Sequence, residues 1–152
     1  MKLIDKISIL LSTGLFSGYF PLFPGTFASF LTCIALYYIL PVSTDEYFLY
    51  LLILFFVGVY TSTVAEKTLG HDAKKIVIDE IFGMSVAILY VPITLTNLII
   101  AFILFRLFDI FKPFPINASQ KLKQGWGVMV DDLIAGIYAM AILNAYILFF
   151  TK

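Results

Sequence analysis

Long runs of apolar residues dominate this sequence and leave few folds open to it. The runs Tyr47 to Ala65 and Val128 to Phe150 approach or exceed the roughly 20 apolar residues that cross a bilayer as a helix. Hydrophobic residues make up 61% of the chain and charged residues only 13%, against about 25% charged in soluble globular domains. The sequence therefore predicts an integral membrane protein built from helices.

Nothing in the sequence divides the chain into parts. Its 152 residues contain no repeat and no low-complexity tract, so we expect a single domain over residues 1–152. Cys33 is the one cysteine, which excludes an internal disulfide and a thiolate metal site. The apolar stretch Ile7 to Leu11 is too short for a cleavable signal, and it predicts a short helix on the surface.

Three further apolar runs complete the predicted helices. Phe27 to Leu40 forms a third candidate span, which Pro41 ends, whereas Ile81 to Val91 and Leu98 to Phe108 are too short to cross a bilayer. Both short runs become long enough if one helix begins near Ala73 and the next continues to about Phe111. Four charged residues then lie inside helices at membrane depth: Asp79, Glu80, Arg106 and Asp109.

The basic residues predict the orientation. If the loops at 41–46 and 92–97 share one side of the membrane, that side carries Asp45 and Glu46 but no lysine or arginine. The basic residues other than Lys152 fall on the opposite side, which the positive-inside rule assigns to the cytoplasm. The same side collects most of the remaining acids, His71 and the Pro24-Gly25-Thr26 turn.

Five carboxylates flank the apolar runs on this cytoplasmic side: Asp79, Glu80, Asp109, Asp131 and Asp132. A cluster of acids without a cysteine or histidine cluster suits a hard cation such as Mg²⁺, which takes oxygen ligands. Adjacent residues on a helix point about 100° apart. In each adjacent pair, therefore, one acid can bind the metal while the other orients it or caps the helix.

Cations and a helix start accompany these acids. Arg106, Asp109 and Lys112 recur at spacing three, so they share one face of a helix, and both cations suit phosphate oxygens. Thr26 lies at a predicted helix start, where backbone N–H groups bind anions, and His71 lies in the polar segment before Asp79. Together these residues predict metal-assisted phosphoryl chemistry at a lipid headgroup.

Each of these residues also has a structural interpretation. Acids at helix starts act as caps, Arg106 and Asp109 can form a simple ion pair, and Lys112 can anchor the chain at the interface. Thr26 can be an ordinary cap, and His71 a polar loop residue. Separate structural roles do not explain why all five acids fall on the face that holds the cations, and we therefore favour a site.

Four segments resemble a known family. They are similar to the signature blocks of the phosphatidylglycerophosphatase A family, and they are Phe23–Ser29, Val77–Met84, Phe105–Ile116 and Gly127–Gly136. The third block is the most specific, with its Arg-x-x-Asp-x-x-Lys-Pro core from Arg106 to Pro113. The blocks occur in order and span nearly the whole chain.

The resemblance implies a compact all-α, membrane-embedded bundle of about five long helices plus short surface helices. It implies a hydrolase that uses Mg²⁺ to remove the terminal phosphate of phosphatidylglycerophosphate, a phospholipid, and it implies no nucleic-acid partner. We expect a multi-pass protein of the bacterial cytoplasmic (inner) membrane, with its active site facing the cytoplasm. The five acids would bind the metal and act in catalysis, and the substrate phosphate would meet Arg106, Lys112, Thr26 and His71.

Three other functions remain open at this stage. An ion or proton transporter also places acids at membrane depth, but Phe48 to Val59 and Leu133 to Phe150 contain no ionisable group that would continue a pathway, apart from the tyrosine phenols. A noncatalytic scaffold would use the acids only as caps. A phosphatase of another lipid phosphate keeps the chemistry and changes the substrate.

Overall fold

The computed structural model describes residues 2–39, 43–70 and 73–150. In these ranges it contains helices and no strand, which confirms the all-α prediction. The helices are α1 (Leu3–Ser12), α2 (Pro24–Ile39), α3 (Thr44–Leu69), α4 (Ile78–Ala87), α5 (Leu95–Phe111), α6 (Ile116–Ser119) and α7 (Gly125–Phe150), with a 3₁₀ helix at Ser17–Tyr19. Pro41 and His71 lie outside the described residues.

Helices α3 and α7 are the longest. Each has 26 residues, and among the described helices these two are long and apolar enough to cross a membrane. Ser43 and Glu46 form a capping box at the start of α3, and Gly70 ends it with a φ of 99°. A helix of this length extends about 39 Å, which exceeds the roughly 30 Å hydrocarbon core.

Helix α4 is much shorter than the sequence suggested. A start near Ala73 is wrong, because residues before Ile78 are held in turns: the Ile76 N–H donates to the Ala73 carbonyl, and the Val77 N–H donates to the Ser12 carbonyl at 2.8 Å. Its 10 residues extend only about 15 Å. Helix α5, in contrast, reaches Phe111 as expected.

The short α4 lies in the centre of the bundle. It packs against α2, α3, α5 and α7, and almost all of its side chains are buried. Glycines make the approach to α7 close, because a Cβ on Gly83 would clash with the Asp132 carbonyl and the Phe105 ring, and one on Gly136 would clash with the Gly83 carbonyl. Small residues at a helix crossing allow such backbone contact.

The outer surface of the bundle is strongly apolar. Large hydrophobic side chains stand exposed on α2, α3, α5 and α7, including Tyr38, Ile53, Ile103 and Phe149. Water-soluble proteins rarely expose contiguous apolar surface on this scale. The predicted surface helix is present as α1, which packs against α3 and buries Ser8 and Ser12.

Candidate active site

The five acids come together at one end of the bundle. Asp79 and Glu80 lie in the first turn of α4, Asp109 in the last turn of α5, and Asp131 and Asp132 on the second turn of α7. All four aspartates are buried, and Glu80 is partly buried. The two predicted short loops lie together at a cavity that both Thr44 and Pro92 line, and none of the five acids lines it.

Three of the five acids form a tight cluster. Asp79, Glu80 and Asp132 each offer a carboxylate oxygen, and these oxygens lie within 4.8 Å of one another. One oxygen on each of them is buried without a hydrogen-bond partner among the described residues. Buried polar atoms are rarely left unpaired. We call these three residues the carboxylate cluster.

The helix crossing explains why these particular acids meet. Asp79 lies four residues before Gly83, and Asp132 four residues before Gly136. Residues four apart lie on the same face of a helix. The two aspartates therefore stand one turn before the glycine contact, each on the face that its helix turns toward the other. Their neighbours are rotated by about 100°: Asp131 turns to Lys112 and Gln120, whereas Glu80 packs on Gly25 and still reaches the cluster.

The other two acids are held by cations. The Arg106 guanidinium lies 2.5 Å from the Asp109 carboxylate, and the Lys112 ammonium lies 2.6 Å from Asp131. The Gln120 amide also donates to Asp131 at 3.2 Å. Asp109 and Asp131 thus orient the two cations that the sequence assigned to phosphate.

Both cations border the carboxylate cluster. Arg106 lies 3.9 Å from Glu80, and its buried Nε–H has no hydrogen-bond acceptor in the described part of the chain. Burial alone would lower the pKa of Lys112, but its hydrogen bond to Asp131 and the charges of Asp131 and Asp109 raise this pKa above its ordinary value. The lysine therefore keeps its positive charge beside the acids.

Helix capping does not account for the two pairs of acids. The sequence suggested a helix that begins near Val128, with Asp131 and Asp132 at its start. Helix α7 begins at Gly125 instead, so both acids lie well inside it. At α4, a capping Glu80 would have to accept from the Val77 N–H, and that N–H donates to Ser12. The predicted ion pair of Arg106 with Asp109 is present.

The start of α2 reaches the cluster. A Cβ on Gly25 would overlap the Glu80 carboxylate, so the Pro24-Gly25-Thr26 turn packs directly on that acid. Thr26 is partly buried in the first turn of α2, where N–H groups lack helical acceptors. Lys75, four residues before Asp79 in sequence, lies over the Tyr19 ring, 4.8 Å from its centroid.

The carboxylate cluster fits a divalent cation. Asp79 and Glu80 are within hydrogen-bonding reach of each other, as are Asp109 and Asp132. Two carboxylates in contact require a proton or a cation between them. The donor set contains oxygen alone, which suits Mg²⁺ and leaves coordination positions for water and substrate. Asp79, Glu80 and Asp132 are thus the residues that would hold the ion.

Comparison with known proteins identifies the family. The profile of the phosphatidylglycerophosphatase A family matches residues 10–147. The chain belongs to this family. Membership confirms the predicted resemblance and makes the protein an enzyme of the phosphatase class. No solved structure matches the chain.

Curated relatives cover most of the chain. Proteins named phosphatidylglycerophosphatase A from Haemophilus influenzae and Escherichia coli are 33% and 34% identical, over 93% and 88% of this chain and over 93% and 80% of their own lengths. A Bacteroides thetaiotaomicron protein, provisionally named a phosphatidylinositol-3-phosphatase, is 34% identical over 94% of this chain and 95% of its own. The chain is thus similar to proteins named for two different lipid phosphates.

Some site residues were not singled out from the sequence. Gly83 and Gly136 set the helix contact that joins the two aspartates, and Gln120 holds Asp131. The signal for the glycines was present, because both acid pairs are followed by the same spacing, Asp-x-x-x-Gly. The signal for Gln120 was absent, since α6 and its following turn carry no periodic pattern.

Proposed function

We propose that this protein hydrolyses the terminal phosphomonoester of phosphatidylglycerophosphate, yielding phosphatidylglycerol and inorganic phosphate. The carboxylate cluster carries this proposal, because its unpaired oxygens suit Mg²⁺ and two oriented cations stand beside it. The family and two curated relatives bear the name of this reaction. Water adds to phosphorus, the bond from phosphorus to the glycerol oxygen breaks, and the glycerol oxygen takes a proton.

Each residue of the site has its own role in the proposed reaction. When bound, Mg²⁺ supplies positive charge that stabilises the phosphoryl group in the transition state and activates water. Arg106 and Lys112 donate to the equatorial phosphate oxygens, where charge is spread during transfer. Asp109 and Asp131 hold these cations in place, and Thr26 presents the N–H groups of the α2 start to the same anion. His71 stays a predicted phosphate contact.

The apolar exterior supports a membrane location for this chemistry. With α3 and α7 crossing the bilayer, the acids lie near one interface, where a lipid presents its headgroup. The basic residues on that side assign it to the cytoplasm by the positive-inside rule. We therefore propose a multi-pass protein of the cytoplasmic membrane, whose substrate enters from the inner leaflet.

Phosphate release from purified protein in detergent tests the proposal. Phosphatidylglycerophosphate and phosphatidylinositol 3-phosphate are assayed side by side, with Mg²⁺ or with EDTA, for the wild type, Asp79→Asn and Asp132→Asn. We expect release from phosphatidylglycerophosphate that requires Mg²⁺ and falls steeply in both variants. Faster release from the inositol lipid would reassign the substrate, and release unchanged in EDTA and in both variants would refute the metal site.

The transporter alternative is tested with the same protein in proteoliposomes. The proposal predicts no ion or proton flux above that of empty liposomes. Flux that is lost in Asp132→Asn, together with no phosphate release from either lipid, would replace the phosphatase by a transporter.

A further inference from the structure

An apolar groove runs along the outside of the bundle between α2 and α5. It consists of two cavities of about 560 Å³ and 360 Å³. Phe30 and Phe102 line both of them, so the two cavities are neighbours along α2 and α5. We call this feature the α2–α5 groove.

One end of the groove lies at the first turn of α2, which packs on the candidate active site. Thr26 lines the smaller cavity, and the preceding residue, Gly25, packs on the Glu80 carboxylate. A phosphate bound by the cations and the α2 start would therefore stand at the mouth of the groove. The acyl chains of a lipid that carries this phosphate would then lie next to the apolar groove.

The other end of the groove lies deeper along α2. Tyr37 lines the larger cavity and is eleven residues beyond Thr26, which corresponds to about 16 Å along a helix. Half of the roughly 30 Å hydrocarbon core is about 15 Å, the depth of one leaflet. No charged residue lines either cavity within the described part of the chain. The groove thus has the length and polarity of one acyl chain.

We propose that the α2–α5 groove holds one acyl chain of the substrate and so positions its phosphate over the carboxylate cluster. This inference rests on the proposed function, since it requires a lipid phosphate as substrate. A lipid chain is already in apolar surroundings, so the groove adds little burial free energy. The groove instead fixes the position of the substrate phosphate. A displacement of about 1 Å at a reacting group can cost about a hundredfold in rate.

A pair of tryptophan variants on α2 tests the groove. Ile34 lines it and is 42% exposed, whereas Leu31 is 39% exposed on the same helix and lines neither cavity. Phosphate release is measured with dioleoyl and with dihexanoyl phosphatidylglycerophosphate. The short chains end near Phe30 and should not reach Ile34.

We expect Ile34→Trp to lower kcat/KM at least tenfold for the dioleoyl lipid and less than threefold for the dihexanoyl lipid, while Leu31→Trp changes neither. Ile99→Trp, on the α5 side of the groove, should behave as Ile34→Trp does. Activity on the short lipid shows that each variant is folded. Equal losses on both lipids, or a changed oligomeric state in Ile34→Trp alone, would overturn the proposal and indicate a packing role or a second copy of the chain.

A binding measurement separates this inference from the proposed function. Phosphatidic acid with a photoactivatable diazirine at the end of one acyl chain is crosslinked to the wild type in liposomes, and the labelled peptide is identified by mass spectrometry. The proposal predicts labels at residues 33–38 or 95–99, even if the protein hydrolyses neither phosphatidylglycerophosphate nor phosphatidylinositol 3-phosphate. Labels spread over the exposed faces of α3 and α7 would refute the groove.

Discussion

The carboxylate cluster predicts that the same substitution at two adjacent residues changes the free energy of unfolding in opposite directions. Asp132 belongs to the cluster, whereas Asp131 is paired with Lys112 and Gln120. Both side chains are buried, at 2% and 4% exposure. In the absence of divalent metal, we expect Asp132→Asn to stabilise the protein and Asp131→Asn to destabilise it.

The magnitudes follow from the geometry. Two like charges within 4.8 Å of each other repel by at least about 3.5 kcal/mol at an effective dielectric constant near 20. The cluster can relieve repulsion by taking up a proton, which costs an ordinary aspartate about 4 kcal/mol at pH 7. Asp132→Asn should therefore add about 1–4 kcal/mol to the free energy of unfolding. Asp131→Asn removes a charged hydrogen bond from Lys112 and should subtract about 1–3 kcal/mol.

Thermal unfolding in detergent, with EDTA or with Mg²⁺, measures both effects. One kcal/mol corresponds to about 2–4 °C for a chain of this size. Mg²⁺ at a hundred times its Kd should stabilise the wild type by about 2.7 kcal/mol and Asp132→Asn far less. If Asp132→Asn is less stable than the wild type in EDTA, or if Mg²⁺ stabilises both equally, the cluster is not a cation site.

Three further variants test the packing around the site. Gly25→Ala places a methyl group on the Glu80 carboxylate and should lower phosphate release at least tenfold, with unfolding in EDTA as the check on stability. Arg106→Lys keeps the charge but loses the planar fork, so we expect at least a tenfold loss of kcat/KM; near-normal turnover would make this residue a structural partner only. Gly136→Ala forces α7 from the Gly83 carbonyl and should cost about 1–3 kcal/mol in unfolding together with most of the activity.

The long helices were predictable because their apolar runs are continuous and their ends are marked. The apolar run Tyr47 to Ala65 became α3, and the run Val128 to Phe150 became α7. The length of α4 was not predictable from hydrophobicity. Its start depends on a tertiary hydrogen bond from Val77 to Ser12, sixty-five residues earlier, and no local pattern reports such a contact.

The gathering of the five acids followed from charge asymmetry alone, since helices that alternate in direction bring their charged ends to one face. The sequence did not predict which contacts each acid of an adjacent pair makes. Glu80 and Asp131 have the same charge as their neighbours, and they differ only in the direction that the helix turns them. Their partners, Gly25 and Lys112, come from distant segments whose approach is fixed by packing.

The two glycines at the crossing of α4 and α7 determine which acids meet there. Close contact at Gly83 and Gly136 places the faces of α4 and α7 against each other, so that only residues in register with the glycines meet there. Asp79 and Asp132 satisfy that register, whereas Glu80 and Asp131 are each rotated by about 100° toward α2 and α6. The rotation acts differently on the two pairs: Asp131 leaves the cluster and pairs with Lys112 and Gln120, whereas Glu80 packs on Gly25 of α2 and still reaches the cluster. The second acid on each helix therefore adds a contact to a segment beside the cluster: Glu80 to Gly25 at the start of α2, and Asp131 to Lys112 at the end of α5.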